Sequence, residues 1–403
     1  IYLTGSNEGL VSVSGNIDAT GLRTNETGGV VHVLGNRVGL YDYARIDVSG
    51  DAGGGLVLVG GDYQGLGLIP TAVDNYVGPN VSIFADAVTG GDGGRTIFWA
   101  DRRTEFFGTI KARGGRLFGD GGFAEVSGKE ELYFVGSVDT TAPNGKSGTL
   151  LLDPDYITVS GGSGTASASG ASSFTTYEDI LESVASTTNI EMIATNSITF
   201  NNSLSFAQTA GQSVTFTATN GNISVTDSSD TIETSGGSII MTAGGTLSIG
   251  AVDTNGGDIT LTGAEFTLSG ALDAGVGTVT ILGASGETIG LDGITANTTA
   301  STISTICNGS ACGVTLIQSE LSNITAAKLV IGDDSAGNMY VDGVTLSHIS
   351  GGVSLNSSGS NGSVEFGTGD TTIKKVTINA GNGITVNGDL ATTSSSTFNA
   401  DYD

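Results

Sequence analysis

"GGSIIMTAGGTLSIGAVDTNGGDITLTGAEFTLSGALDAGVGTVTILG", residues 236–283, decides the fold. Glycine-led starts at 236, 256 and 275 each open a run in which every second residue is apolar. Ser238, Asp258 and Thr278 take equivalent places, 20 residues apart. A unit this short cannot bury an apolar face alone, but stacking on its neighbours buries it. Three short strands with their turns use about 20 residues, so each unit reads as one coil of a parallel β-helix.

The same grammar runs outward from this stretch. "GGVVHVLG" (28–35), "GGLVLVGG" (54–61), "GGRTIFWA" (93–100) and "GGFAEVSG" (121–128) alternate with "GNIDATG" (15–21), "ARIDVSG" (44–50), "GTIKARGG" (108–115) and "GSVDTTA" (136–142). Most Gly-Gly starts lie about 26–28 residues apart, with a longer insertion around 62–80. The expected fold class is all-β, an elongated parallel β-helix or β-solenoid. About 16–18 coils at roughly 4.8 Å would make a rod on the order of 80 Å. "SGGSGTASASGASS" (160–173) breaks the pattern as low-complexity loop, and "TTYEDILESVAS" (175–186) predicts one short helix. Thr175 and Glu178 have capping-box spacing, and Tyr177, Leu181 and Val184 share a face. The expected divisions are a Gly-rich block over 1–160, the loop and helix over 161–190, and a second block over 191–403.

Composition narrows the function. Forty-one acidic residues against 14 basic ones, a formal charge of −27, repel nucleic acid and anionic lipid. No segment approaches the ~20 apolar residues of a membrane span. Cys307 and Cys312, in "ICNGSACG", fit no zinc pattern and read as a disulfide clipping one turn if the protein is exported. The chain begins in mid-pattern, as an excised or mature portion of a longer precursor would.

"ARIDVSGDAGGGLVLVGGDYQG" (44–65), "YVGPNVSIFADAVTGGDGG" (76–94), "FFGTIKARGG" (106–115) and "GGFAEVSGKEELYFVGSVDTTAPNGKSGTLLLDPDYITVS" (121–160) resemble the filamentous haemagglutinin-type exoproteins of two-partner secretion. The resemblance covers 1–160 closely and the remainder in repeat style only. It implies a right-handed parallel β-helix, passage through an outer-membrane partner barrel, and a secreted or bacterial cell-surface fibrous protein active in adhesion or biofilm formation. The Asn-Pro-Asn type motif of that family's secretion domain does not occur in this sequence.

No nucleophile elbow, phosphate loop or histidine-centred motif is present, and no cofactor is expected. His32 and His348 read as non-catalytic. Carboxylates close in sequence, the requirement for glycoside hydrolysis, occur at Asp153 with Asp155, Asp333 with Asp334, and Asp92 with Asp101. Adjacent acids on a solvated turn are the plainer explanation. Asp333 and Asp334 are also the candidates for weak Ca²⁺ association. The stretch 93–116 holds the only tryptophan and six of the 14 basic residues. Strict alternation puts one of Phe98 and Trp99 outward, and Arg102 and Arg103 are expected at a turn. Trp99, Arg102, Arg103, Lys111 and Arg113 then form a candidate basic-aromatic surface patch, or cations that merely offset neighbouring acids. The expected function is a non-enzymatic fibrous adhesin, matrix or filament subunit. Its expected partners are further copies stacked end to end, or host and cell-surface glycans and proteins. The alternative is a carbohydrate-binding or polysaccharide-degrading β-helix protein.

Overall fold

The structure is a computed structural model that describes residues 1–6, 8–162, 174–292 and 312–401. The chain divides into two compact units, Ile1–Thr217 and Ala218–Asp403. Both are built from short strands paired in parallel, as the repeat predicts, and each is a parallel β-helix.

In the first unit the core is a set of columns, one inward side chain per coil. Val31, Val57, Thr96, Ala124, Leu150 and Ile190 stack in register and are fully buried. A second column runs Val13, Leu40, Val77, Phe106 and Phe134. The rings of Phe106 and Phe134 stack at 5.9 Å. On another face Ile46, Ile83, Ile110 and Val138 align inside while Asp47, Phe84, Lys111 and Asp139 align outside. Such alternation is the period-2 geometry of a half-buried strand, repeated from coil to coil.

The second unit does the same with Ile239, Ile259, Val279, Leu329, Val353 and Val376. The sequence equivalence of Ser238, Asp258 and Thr278 is physical. Ser238 Oγ accepts from the Asp258 N–H at 3.3 Å, and Asp258 Oδ1 accepts from the Thr278 N–H at 2.7 Å. Further on, Asn356, Asn379 and Asn399 form a side-chain ladder with amide contacts of 2.8 and 2.7 Å.

Gly-Gly pairs close the coils of the first unit. The second glycine N–H at 29, 55, 94 and 122 donates to the carbonyl of Ala19, Val48, Ala85 and Ala112. A Cβ on the first glycine at 28, 54, 93 or 121 would sit 1.7–2.2 Å from a carbonyl oxygen of the next coil. No side chain fits there, which explains the pair.

The helix expected at 175–186 is present as α1 (Glu178–Glu182), but its start differs from the prediction. Thr175 lies in a strand, Phe174–Tyr177, and the N-cap is Tyr177 with no side-chain cap bond. Glu178 instead accepts from the Gly162 N–H at 3.0 Å and from the Asn202 amide. Leu181 and Val184 are buried as the shared face requires. A second helix, α2 (Gln318–Ser322), was not legible from periodicity. It too follows a short parallel strand, Val314–Ile317, and it too plugs one fully buried leucine, Leu321, into its unit.

Candidate functional site

The basic-aromatic stretch forms one strand, Arg95–Phe106, with a register shift between Ala100 and Arg103. Arg102 and Arg103 therefore sit at a bulge in a continuous strand, not at a turn. Alternation holds through Trp99: Thr96, Phe98 and Ala100 point inward, Ile97 and Trp99 outward. Trp99 is nonetheless only 6% exposed. Residues 60–71, which overlap the insertion expected around 62–80, fold back over it. Tyr63–Gly65 makes one 3-10 turn, and Leu56, Tyr63 and Ile69 pack on Leu58, Ile97 and Trp99. Gly65 is required here: its φ is +64°, and a Cβ would lie 2.4 Å from the indole. At the base, Asn75 Nδ2 donates to the carbonyls of Val59 (3.1 Å) and Trp99 (2.7 Å).

The candidate cations are engaged. Arg102 pairs with Asp74. Arg103 pairs with Glu105, reaches Glu131 at 3.7 Å, and lies 4.7 Å over the Tyr133 ring. Arg113 grips Asp86 through Nε (3.2 Å), Nη2 (2.8 Å) and its backbone N–H (2.8 Å). Lys111 Nζ stands 5.9 Å from the Phe84 ring, which also carries Arg45 at 3.9 Å. The five residues do not form one open patch, because Trp99 is covered and three of the four cations are held by acids of their own or neighbouring coils.

The sequence did not single out Glu125. It occupies an outward place of the strand Phe123–Gly128, and an outward acid reads as solvated. Under the 60–71 segment it has no exposed surface. Its Oε1 accepts the Gln64 N–H at 3.0 Å, while Oε2 has no hydrogen-bond partner. Gln64 Nε2 donates to Asp153 Oδ2 at 2.8 Å, so one residue bridges both acids. Burial pushes Glu125 up to about 7 and Asp153 up to about 6, and it raises Glu191 as well. Asp153 thus belongs with Glu125, while Asp155 acts on it only through repulsion. The other expected carboxylate pairs are occupied separately. Asp101 accepts from the Trp99 indole (3.2 Å) and the Thr71 hydroxyl (2.5 Å), and Asp92 accepts the Asp120 N–H at 2.7 Å.

Beside this cluster the bare Gly-Gly corners leave a groove of about 660 Å³, edged by Arg95, Phe123, Asp120 and Lys146. The Arg95 guanidinium lies 4.9 Å from the Tyr63 ring and 5.0 Å from Phe123. In the second unit Asp333 is turned onto the N–H and hydroxyl of Ser335, both at 2.8 Å, and Asp334 is exposed. Among the described residues, no three metal-ligating acids, histidines or cysteines come together. The Cys307–Cys312 pairing has its first member outside the described residues. No helix among the described residues is long and apolar enough to cross a membrane. No protein-family model matches this chain, and neither does any curated protein.

Proposed function

We infer that the chain is a non-enzymatic structural segment of a secreted or cell-surface fibrous protein, a β-helical spacer rather than a catalyst. One observation carries this: outward polar side chains bond along their own columns, coil to coil. The Asn356–Asn379–Asn399 ladder, the Ser238–Asp258–Thr278 series and the Arg113 bonds to Asp86 all join neighbouring coils. Groups used this way strengthen the stack and are unavailable to a substrate. The resemblance of residues 1–160 to haemagglutinin-type exoproteins supports the same reading and its extracellular location. Adhesive contacts would be weak and multivalent, spread over repeated outward faces.

One observation favours the alternative of a polysaccharide-degrading protein. Glu125 and Asp153 share a bridging residue, and both hold their protons to unusually high pH. Against it, Glu125 is wholly covered. The purified protein, incubated with a panel of neutral and acidic polysaccharides, is expected to release no reducing ends or unsaturated products. Turnover that disappears in Glu125→Gln and Asp153→Asn would replace the spacer with the enzyme. Electron microscopy at high concentration tests end-to-end stacking, for which filaments are the expected result and discrete particles the adverse one.

A further inference from the structure

Residues 60–71 are held to the outer face by two kinds of contact. The apolar kind, Tyr63 and Ile69 on Trp99 and its neighbours, is indifferent to protons. The polar kind ends on acids: Gln64 on Glu125 and Asp153, and Thr71 on Asp101. Glu125 is the acute member, because it is fully buried with one oxygen unpartnered. The hydroxyl of Ser127, two residues along the same strand, is buried too and favours the charged form, but it does not reach full hydrogen-bond geometry and is outweighed by burial. A neutral carboxyl tolerates such a place, while a carboxylate there loses its hydration without full replacement.

The surrounding charges do not rescue the ionised form. Asp153 repels it, with Asp155 and Glu191 acting on Asp153 in turn. Arg95 is the one cation acting on it, and that guanidinium lies against Tyr63 and Phe123. The segment itself brings Asp62 and the phenol of Tyr63, and Asp101 serves Thr71 and Trp99. On the far flank stands His32, paired in register with Leu58 and held below its ordinary value by burial. The closed segment also holds backbone strain at Gln64, a non-glycine at φ 52°.

We propose that residues 60–71 are a proton-latched lid over Trp99, closed while Glu125 is neutral and released when Glu125 and Asp153 are both charged. The sign follows from where the proton sits. In an open lid Glu125 would titrate near the ordinary 4.5, and in the closed lid near about 7. Closure is therefore strongest at acid pH, weakens as pH rises above about 4.5, and has lost a factor on the order of a hundred by about 7. Release uncovers an apolar and aromatic face, Leu58, Ile97 and Trp99.

Trp99 is the only tryptophan, so its emission reports on the lid directly. In the intact chain, emission is expected at short wavelength in acid and to shift red as pH rises through about 7. Over the same range, proteolysis at the exposed tip residues Leu66 and Leu68 is expected to accelerate. Glu125→Gln should hold the emission blue and the cleavage slow throughout, and His32→Asn should keep the wild-type transition. Asp153→Asn, a second variant that leaves Glu125 itself in place, should move the midpoint to higher pH. Constant wild-type emission from about pH 5 to 9 would overturn the latch. So would a transition that survives Glu125→Gln, one lost in His32→Asn, or a midpoint that Asp153→Asn leaves in place.

Discussion

Trp99 shows what strand periodicity can and cannot say about a single residue. Alternation requires one of Phe98 and Trp99 to face outward, and the structure turns Trp99 away from the coil interior. Alternation carries no information about a cover supplied from residues 60–71, more than twenty positions earlier. Glu125 was missed for the same reason: its exposure is decided by another segment. Arg113 was legible as one of two options, and the structure gives the plainer one. Its guanidinium neutralises Asp86, a residue only 7% exposed. Arg113→Ala should cost about 1–3 kcal/mol in denaturant unfolding, because Asp86 is left buried with little compensation. Arg113→Lys should recover less than half of that, since an ammonium cannot make the two-point contact. The raised acids give a pH dependence of stability as well. Glu125 and Asp153 stabilise the fold fully below their ordinary values, and that contribution is lost as pH climbs through about 6 and about 7. For Glu125 the loss is on the order of 2–3 kcal/mol. Thermal melts should fall between acid and mildly alkaline pH and flatten in Glu125→Gln. A melting temperature that rises over that interval would contradict this assignment of charge.

At the scale of elements, the coil was legible and the exceptions were not. Glycine pairs, alternation and turn residues agree locally, so strands appear where the pattern puts them. The strand Arg95–Phe106 runs through the expected turn because a bulge absorbs the mismatch without ending the pairing. The two helices follow one plan. Each succeeds a short parallel strand and sends one leucine, Leu181 or Leu321, into the core. In α2, Gln318 pairs with both backbone groups of Thr345, at 2.6 and 2.9 Å, and so stands in for a strand residue. "QSELS" hides this, because one apolar residue in five sets no period. Leu181→Ala and Leu321→Ala should each cost about 2–5 kcal/mol. Hydrogen exchange should place the loosened amides in the coils nearest each helix, as nearest-neighbour coupling requires. Loosening spread evenly over a unit would argue against that coupling.

For the whole molecule, the governing quantity is charge. Forty-one acids face 14 bases, and several of the bases are already committed to acids in the first unit. Net self-repulsion should therefore outweigh the exposed ion pairs. Raising ionic strength from about 0.01 to about 0.15 M, which shortens the screening length from about 30 to about 8 Å, should raise the melting temperature. A lower melting temperature at the higher salt would mean that the pairs dominate. The sequence divides the chain over 161–190, whereas the structure's compact units are Ile1–Thr217 and Ala218–Asp403; inward columns of the same kind occur in each, so alternation alone marks no boundary.

The Gly-Gly corners carry one more implication, for the order of events during synthesis. Gly55 closes on Val48, Gly94 on Ala85 and Gly122 on Ala112, each within a few residues of its own coil. Every rung after that pairs with the coil just completed. Assembly can thus proceed as growth on an existing face, one coil at a time, while the cover over Trp99 waits for Glu125 and Asp153, 61 and 89 positions after Gln64. A chain that emerges slowly from one end would fold as fast as it is delivered.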